Sequence, residues 1–175
     1  MSANKRFVRD ANVFIQAHRM HYAFDICPGF WTALVRQSRF GNVCSIDRVK
    51  GELLDEGDRL ADWIDRTVPD GFFKATADQR VIQTFGDMTK WAHSEDQFTA
   101  EAKAAFASDV DGWLVAFAKV NGLIVVTHEE YAPQAKRIVK IPNVCVEFEV
   151  DYCNTFDMLR DVDERFVLRR RRRRG

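Results

Sequence analysis

Apolar positions along the chain fall into short runs and helically spaced stripes that together predict an alternation of strands and helices. Phe7-Val8 leads into Arg9-Asp10-Ala11-Asn12 and resumes at Val13-Phe14-Ile15, which reads as a buried strand whose carboxyl end carries Asp10. Residues 16–26 show no steady period and read as a loop ending at Cys27-Pro28-Gly29. Phe30, Trp31, Leu34 and Val35 then recur at helical spacing, behind a proline suited to a first turn and ahead of Gly41, predicting a helix over 28–40. Residues 43–46 form a brief extended piece, and Ser45 or Asp47 is placed to cap a helix through Val49, Glu52, Leu53 and Leu54 that Gly57 breaks. The pattern of Leu60, Ala61, Trp63 and Ile64 predicts another helix over 58–67. Val68-Pro69-Asp70-Gly71 is a turn, and Phe72-Phe73-Lys74-Ala75 a short strand. Helices over 78–92 and 99–107 are expected to cover the sheet.

The densest stretch follows. Asp109-Val110-Asp111 opens a helix carrying Trp113, Leu114, Phe117 and Val120, with Asn121-Gly122 as its stop. Leu123-Ile124-Val125-Val126-Thr127 is a continuous apolar run, the pattern of a parallel strand buried on both faces, and it discharges into His128-Glu129-Glu130. A helix feeding such a strand is half of a βαβ unit, which places Glu129 at the carboxyl edge of the sheet, as Asp10 is. Beyond it come a turn or helix start at Ile141-Pro142-Asn143, a short segment at 150–153, and a last helix opened by Thr155 and ending near Phe166.

The 175 residues suit one domain with a well-filled core, for 46% of them are hydrophobic and 14 are Phe. No apolar run is long enough to span a bilayer, and the first six residues have no apolar segment behind their two basic ones, so the expected location is cytoplasmic. Cys27, Cys44, Cys145 and Cys153 lack zinc-ligand spacing and read as buried free thiols, with Cys27, beside Pro28, open to partial exposure. The formal charge of zero hides an asymmetry: without Arg169 to Arg174, 20 basic residues face 26 acidic ones. The body is therefore acidic, not a broadly basic nucleic-acid binder, and any polyanion must meet a local site, a bound cation or the tail.

Four acids fall where an α/β reading converges: Asp10 after the first strand, Glu52 on an early helix, Asp111 at a helix start and Glu129 after a central strand. Carboxylates brought together repel one another unless a cation neutralises them, and hard oxygen ligands of this kind suit Mg²⁺ or Mn²⁺. Three of these acids have a structural alternative: Asp10 as a helix N-cap, Asp111 as a cap, and Glu52 as part of a solvated helix face. Asp109 and Glu130 stand close enough to substitute. His128 reads as a partly exposed neighbour, and Asp25, Asp47 and Asp87 as surface or capping acids.

With these residues in place, the chain resembles PIN-domain proteins, and more narrowly a bacterial PIN-like subgroup of formerly unknown function related to VapC-type toxins. The resemblance rests on Asp10-Ala11-Asn12-Val13-Phe14-Ile15, Phe24-Asp25-Ile26-Cys27-Pro28-Gly29-Phe30-Trp31, Ser45-Ile46-Asp47-Arg48-Val49 with Glu52-Leu53-Leu54, Asp111-Gly112-Trp113-Leu114, Val125-Val126-Thr127-His128-Glu129 and Lys140-Ile141-Pro142-Asn143. It implies a PIN-like three-layer α/β/α sandwich with a central, mostly parallel sheet over residues 1–168, followed by an arginine-rich tail at 169–175 expected to be disordered. It also implies a nuclease site in which Asp10, Glu52, Asp111 and Glu129 hold Mg²⁺ or Mn²⁺ and Asn12 and Thr127 support them. The implied activity is that of a metal-dependent endoribonuclease leaving a 5′-phosphate, the toxin of a toxin–antitoxin pair. Its expected partners are RNA and a cognate antitoxin, with a homo-oligomer left open and no membrane. The alternatives are a catalytically weak binding module acting through RNA or protein contacts, and a DNA- or structure-specific nuclease. Three departures stand out. Arg9 precedes the first acid where an apolar residue is usual and is expected to reach into the acid cluster, pairing with Asp10 or displacing a metal. Lys50-Gly51 precedes Glu52, and Gly112 replaces a proline, which is expected to loosen the start of the Asp111 helix.

Overall fold

At the centre lies β1 (Phe7–Arg9), paired in parallel with β2 (Val43–Ile46) on one side and with β4 (Ile124–Val126) on the other. This computed structural model describes residues 5–167, so the arginine tail lies outside the described residues. β3 (Phe73–Lys74) extends the sheet beyond β2, and β5 (Tyr152–Cys153) beyond β4, giving the order β3-β2-β1-β4-β5 with every pairing parallel. Phe7, Val8, Val125 and Val126 are fully buried, as expected of strands covered on both faces. Each such side chain contributes about 1.5–3 kcal/mol on burial.

The chain first adds strands in one direction and then, after β3, returns to the opposite side of β1. Right-handed crossovers therefore lay the earlier helices on one face and the later ones on the other. The first layer holds α1 (Ala11–Gln16), a π-helical turn (Ala17–His21), α2 (Pro28–Arg39), α3 (Asp47–Asp55) and α4 (Arg59–Thr67). α5 (Gln79–Ser94), α6 (Ala100–Ser108), α7 (Asp111–Asn121) and α8 (Ile141–Glu147) form the second. α9 (Thr155–Asp161) follows β5. The result is a three-layer α/β/α fold, and the reversal between β1 and β4 opens a crevice at their carboxyl ends.

Several expectations are corrected. The apolar run resuming at Val13 belongs to α1, and the stretch read as a loop begins with the end of α1 and the π-helical turn. Three β residues suffice for the sheet; the Asp10 carboxylate then caps a helix by accepting from the Asn12 N–H. Neither Ser45 nor Asp47 caps α3: the Ser45 hydroxyl donates to the Arg9 carbonyl at 2.7 Å, and Asp47 accepts from the Thr76 hydroxyl at 2.8 Å. α5 packs chiefly along α7, so it buries its face on another helix more than on the sheet. α9 stops at Asp161, with Val162 as its cap and Asp163 at φ 52°, short of Phe166. Gly112 has a packing role in the first turn of α7. A Cβ there would meet Phe85 at 2.7 Å and Phe106 at 2.9 Å, so glycine lets two rings close on the first turn. Among the described residues, no helix is long and apolar enough to cross a membrane.

Candidate active site

Asp10 emerges from β1 and is only 2% exposed. Its Oδ1 accepts from the Asn12 N–H and its Oδ2 from the Thr127 hydroxyl, both at 3.4 Å. Thr127, at the end of β4, also accepts from the Glu129 N–H at 3.1 Å, so one hydroxyl ties the ends of the two central strands together. Asn12 contributes its backbone N–H to Asp10 and stands at the cavity wall. Asp111 opens α7, and Glu52 comes from α3 in the opposite helical layer. These two helices are themselves joined: the Arg48 guanidinium lies 3.8 Å from the centre of the Trp113 ring and donates to Thr76 at 3.1 Å.

Asp10, Glu52, Asp111 and Glu129 all line one open cavity of about 480 Å³, which places all four predicted acids together. Asp55, Glu56 and Asp109 share it. Asp55 and Glu56 stand three and four residues after Glu52, a spacing that puts them on one helix face and was available in the sequence. Glu130 instead lines a neighbouring cavity. Arg19 pairs with Glu56 at the rim at 2.5 Å, but among the described residues no lysine or arginine forms an ion pair with Asp10, Glu52, Asp111 or Glu129.

Like charges without a counterion leave their mark. Burial, then the Glu129 and Glu52 carboxylates, push Asp10 up to about 7 against the opposing bonds from Asn12 and Thr127. Burial pushes Asp111 up to about 8, reinforced by Asp10, Asp109, Glu129 and Glu52. Glu52 moves upward through desolvation at the cavity wall and the nearby Asp109 carboxylate.

The donor set, all carboxylate oxygen around an uncompensated negative cavity, fits a hard divalent cation. Its geometry is not closed: among the described residues no three ligating side chains stand together as a metal group. One reason is visible at Glu129, whose Oε2 accepts from the Ile141 N–H at 2.9 Å in the first turn of α8. That bond satisfies an orphan donor at the helix start and holds the carboxylate to the wall.

Arg9 departs from expectation. Consecutive strand residues face opposite sides of a sheet, so Arg9 turns away from Asp10. It is completely buried, 4.5 Å from the Phe14 ring centre and 5.3 Å from that of Phe30, and Nε and both terminal nitrogens have no hydrogen-bond partner among the described residues. Burial pulls its guanidinium down to about 9. It neither pairs with Asp10 nor enters the acid cavity. Asp47, read as a surface or capping acid, is tied to Thr76, while Asp87 meets Lys90 at 3.3 Å on the surface. The four cysteines are free, but only Cys145 is buried; Cys44 and Cys153, expected to be buried, are half-buried, as is Cys27.

No curated protein matches the chain. The family described as Domain of unknown function (DUF4411) matches residues 7–166, and the chain belongs to that family.

Proposed function

We propose that this member of the DUF4411 family is a divalent-metal-dependent endoribonuclease with a PIN-like site, and the toxin of a toxin–antitoxin pair. The observation that carries the proposal is the convergence of four carboxylates, from the ends of β1 and β4 and from a helix in each layer, with no ion-paired lysine or arginine among the described residues, at the β1–β4 switch point of a parallel sheet. Asp10, Glu52, Asp111 and Glu129 would hold Mg²⁺ or Mn²⁺. When bound, such an ion neutralises charge on a phosphodiester and lowers the pKa of a water that attacks it. The residues supply the rest. Thr127 and the Asn12 N–H orient Asp10. Asp10, pushed up by burial, Glu129 and Glu52, and Asp111, pushed up by burial and by Asp10 among its acid neighbours, give up protons as a cation enters, so binding strengthens as pH rises. Glu129 would turn from the Ile141 N–H toward the cavity, since its present bond points it at α8.

The decisive experiment is cleavage of a mixed structured-RNA pool in Mn²⁺ and in EDTA, with Asp111→Asn as the control. Metal-dependent cutting that vanishes in the variant is the expected result. The open ligand geometry favours one rival, a binding module with weak catalysis. Equal inertness of both proteins, with no rise in melting temperature on adding Mn²⁺, would replace the nuclease reading with that rival.

A further inference from the structure

A second cavity, of about 510 Å³, adjoins the acid site and shares Glu129 with it. Its walls come from the turn after β4, from β5 and from the start of α9, and they carry four rings: His128, Tyr131, Tyr152 and Phe156. Tyr131, Tyr152 and Phe156 are 47%, 37% and 45% exposed, an unusual gathering of half-open aromatic faces on an otherwise well-packed domain. The rings are held in place from behind. The His128 Nε2 lies 3.1 Å from the Thr155 hydroxyl, and the π-helical turn brings His21 to ring-centre distances of 6.2 Å from His128 and 6.3 Å from Phe156. His21 does not itself line the cavity; it packs against two of its rings from the neighbouring turn.

The charge of the lining selects the occupant. Glu129, Glu130 and Asp157 face this cavity, and neither lysine nor arginine lines it among the described residues, so a phosphate is repelled. Aromatic faces beside acceptors and without cations suit a neutral planar ring carrying N–H donors. We infer that this cavity is a base subsite, taking one unpaired nucleobase of a single-stranded RNA whose neighbouring phosphate lies at the acid site. The inference rests on the nuclease reading and deepens it: a base must leave its stack to enter, so the substrate is single-stranded or looped RNA rather than a duplex.

The test is fluorescence of 2-aminopurine placed in turn along a single-stranded RNA oligonucleotide, read in EDTA at low salt, alongside anisotropy of the same oligonucleotide. Wild type quenches the probe at one position, and the corresponding duplex shows no quenching. Phe156→Ala and Tyr131→Ala, both at half-open positions, lose the quenching and bind about 10-fold or more weakly, whereas Phe156→Trp retains both. The two readings fail separately. RNA that is cut in Mn²⁺ yet never quenched, or quenched equally by wild type and Phe156→Ala, overturns the base subsite and leaves the nuclease standing. Quenching without Mn²⁺-dependent cutting supports the subsite and removes the catalysis. Absence of both quenching and cutting overturns both.

Discussion

Arg9 and Asp10 are neighbours in the chain and opposites in their surroundings. Asp10 joins a cavity walled by carboxylates that is open to solvent and has no cation ion-paired to its four central acids among the described residues. Arg9 sits sealed among rings, with a positive charge and no acid to meet it. A salt bridge between them would relieve both, yet the alternation of the strand forbids it. The two sides hold charge for different reasons. Aromatic faces partly compensate a buried guanidinium and need no exchange with solvent. Clustered carboxylates are costly alone but open, so an ion from solution can offset the cost. An unpaired charge that is sealed therefore points to packing, and one that is exposed to a cavity points to a ligand.

The largest expected contrast is in activity. Asp10→Asn keeps the acceptor that caps α1 but removes a charge of the proposed metal site, and RNA cleavage should fall by about 100-fold or more. Arg9→Met should leave cleavage within about 2-fold, since no Arg9 atom reaches the acid cavity. Comparable losses in the two variants, measured as initial rates on one RNA, would dissolve the distinction.

Stability should separate them in a second way. Arg9→Met fills much of the same volume without a desolvated charge, and chemical denaturation should show it more stable by about 1–3 kcal/mol. Arg9→Ala should be less stable, because it leaves a cavity among Phe14 and Phe30. Destabilisation by Met as well would mean that the contacts with the rings outweigh the cost of the charge.

pH sharpens the comparison further. Asp10 and Asp111 bind protons more tightly in the folded state than when unfolded, so their contribution is full below their ordinary value of 3.8. It is lost as pH rises through about 7 and about 8. Metal-free melting temperature, taken relative to an Asp10→Asn/Asp111→Asn variant, should therefore decline between about pH 4 and 8, and saturating Mn²⁺ should flatten that decline. Arg9 is charged in both states across this range. Its lowered pKa makes the folded state release a proton only above about 9, where stability should rise with further increase in pH. Arg9→Met should thus leave the slope below pH 8 unchanged.

The smallest effect concerns α3, which carries Glu52. A Cβ at Gly51 meets nothing within 4 Å, so Gly51→Ala should stabilise the protein by about 1 kcal/mol in urea denaturation. Unchanged or raised Mn²⁺ affinity, measured by calorimetry, is expected alongside it. A loss of affinity would show that the glycine serves the acid cavity rather than merely weakening its helix.

Most elements were legible because their signals are local. The stripe of Phe30, Trp31 and Leu34, the Asn121-Gly122 stop with Gly122 at φ 62°, and the apolar run through Val125 and Val126 depend only on near neighbours, and each lies where its pattern placed it. The run at Val13-Phe14-Ile15 misled because a short apolar stretch suits a buried strand or a buried helix equally, and the capping role of Asp10 decides between them only once the chain has turned. Grouping of Asp10, Asp111 and Glu129 was legible for a related reason: acids after parallel strands and at an adjoining helix start share the carboxyl edge, and Glu52 joins them from the second turn of α3.

The sequence alone determined the alternation of strands and helices, the acidity of the body and the identity of the four acids. Tertiary structure alone decided what each charge faces. Strand alternation sent Arg9 among Phe14 and Phe30, the approach of α8 engaged Glu129 through the Ile141 N–H, and the meeting of β5, α9 and the π-helical turn raised a ring-lined cavity beside the site. The physical reason is range: secondary structure follows from torsions and periodicity over a few residues, whereas a side chain's electrostatic surroundings are set by segments far apart in the chain, brought together only by the order and crossing of the strands.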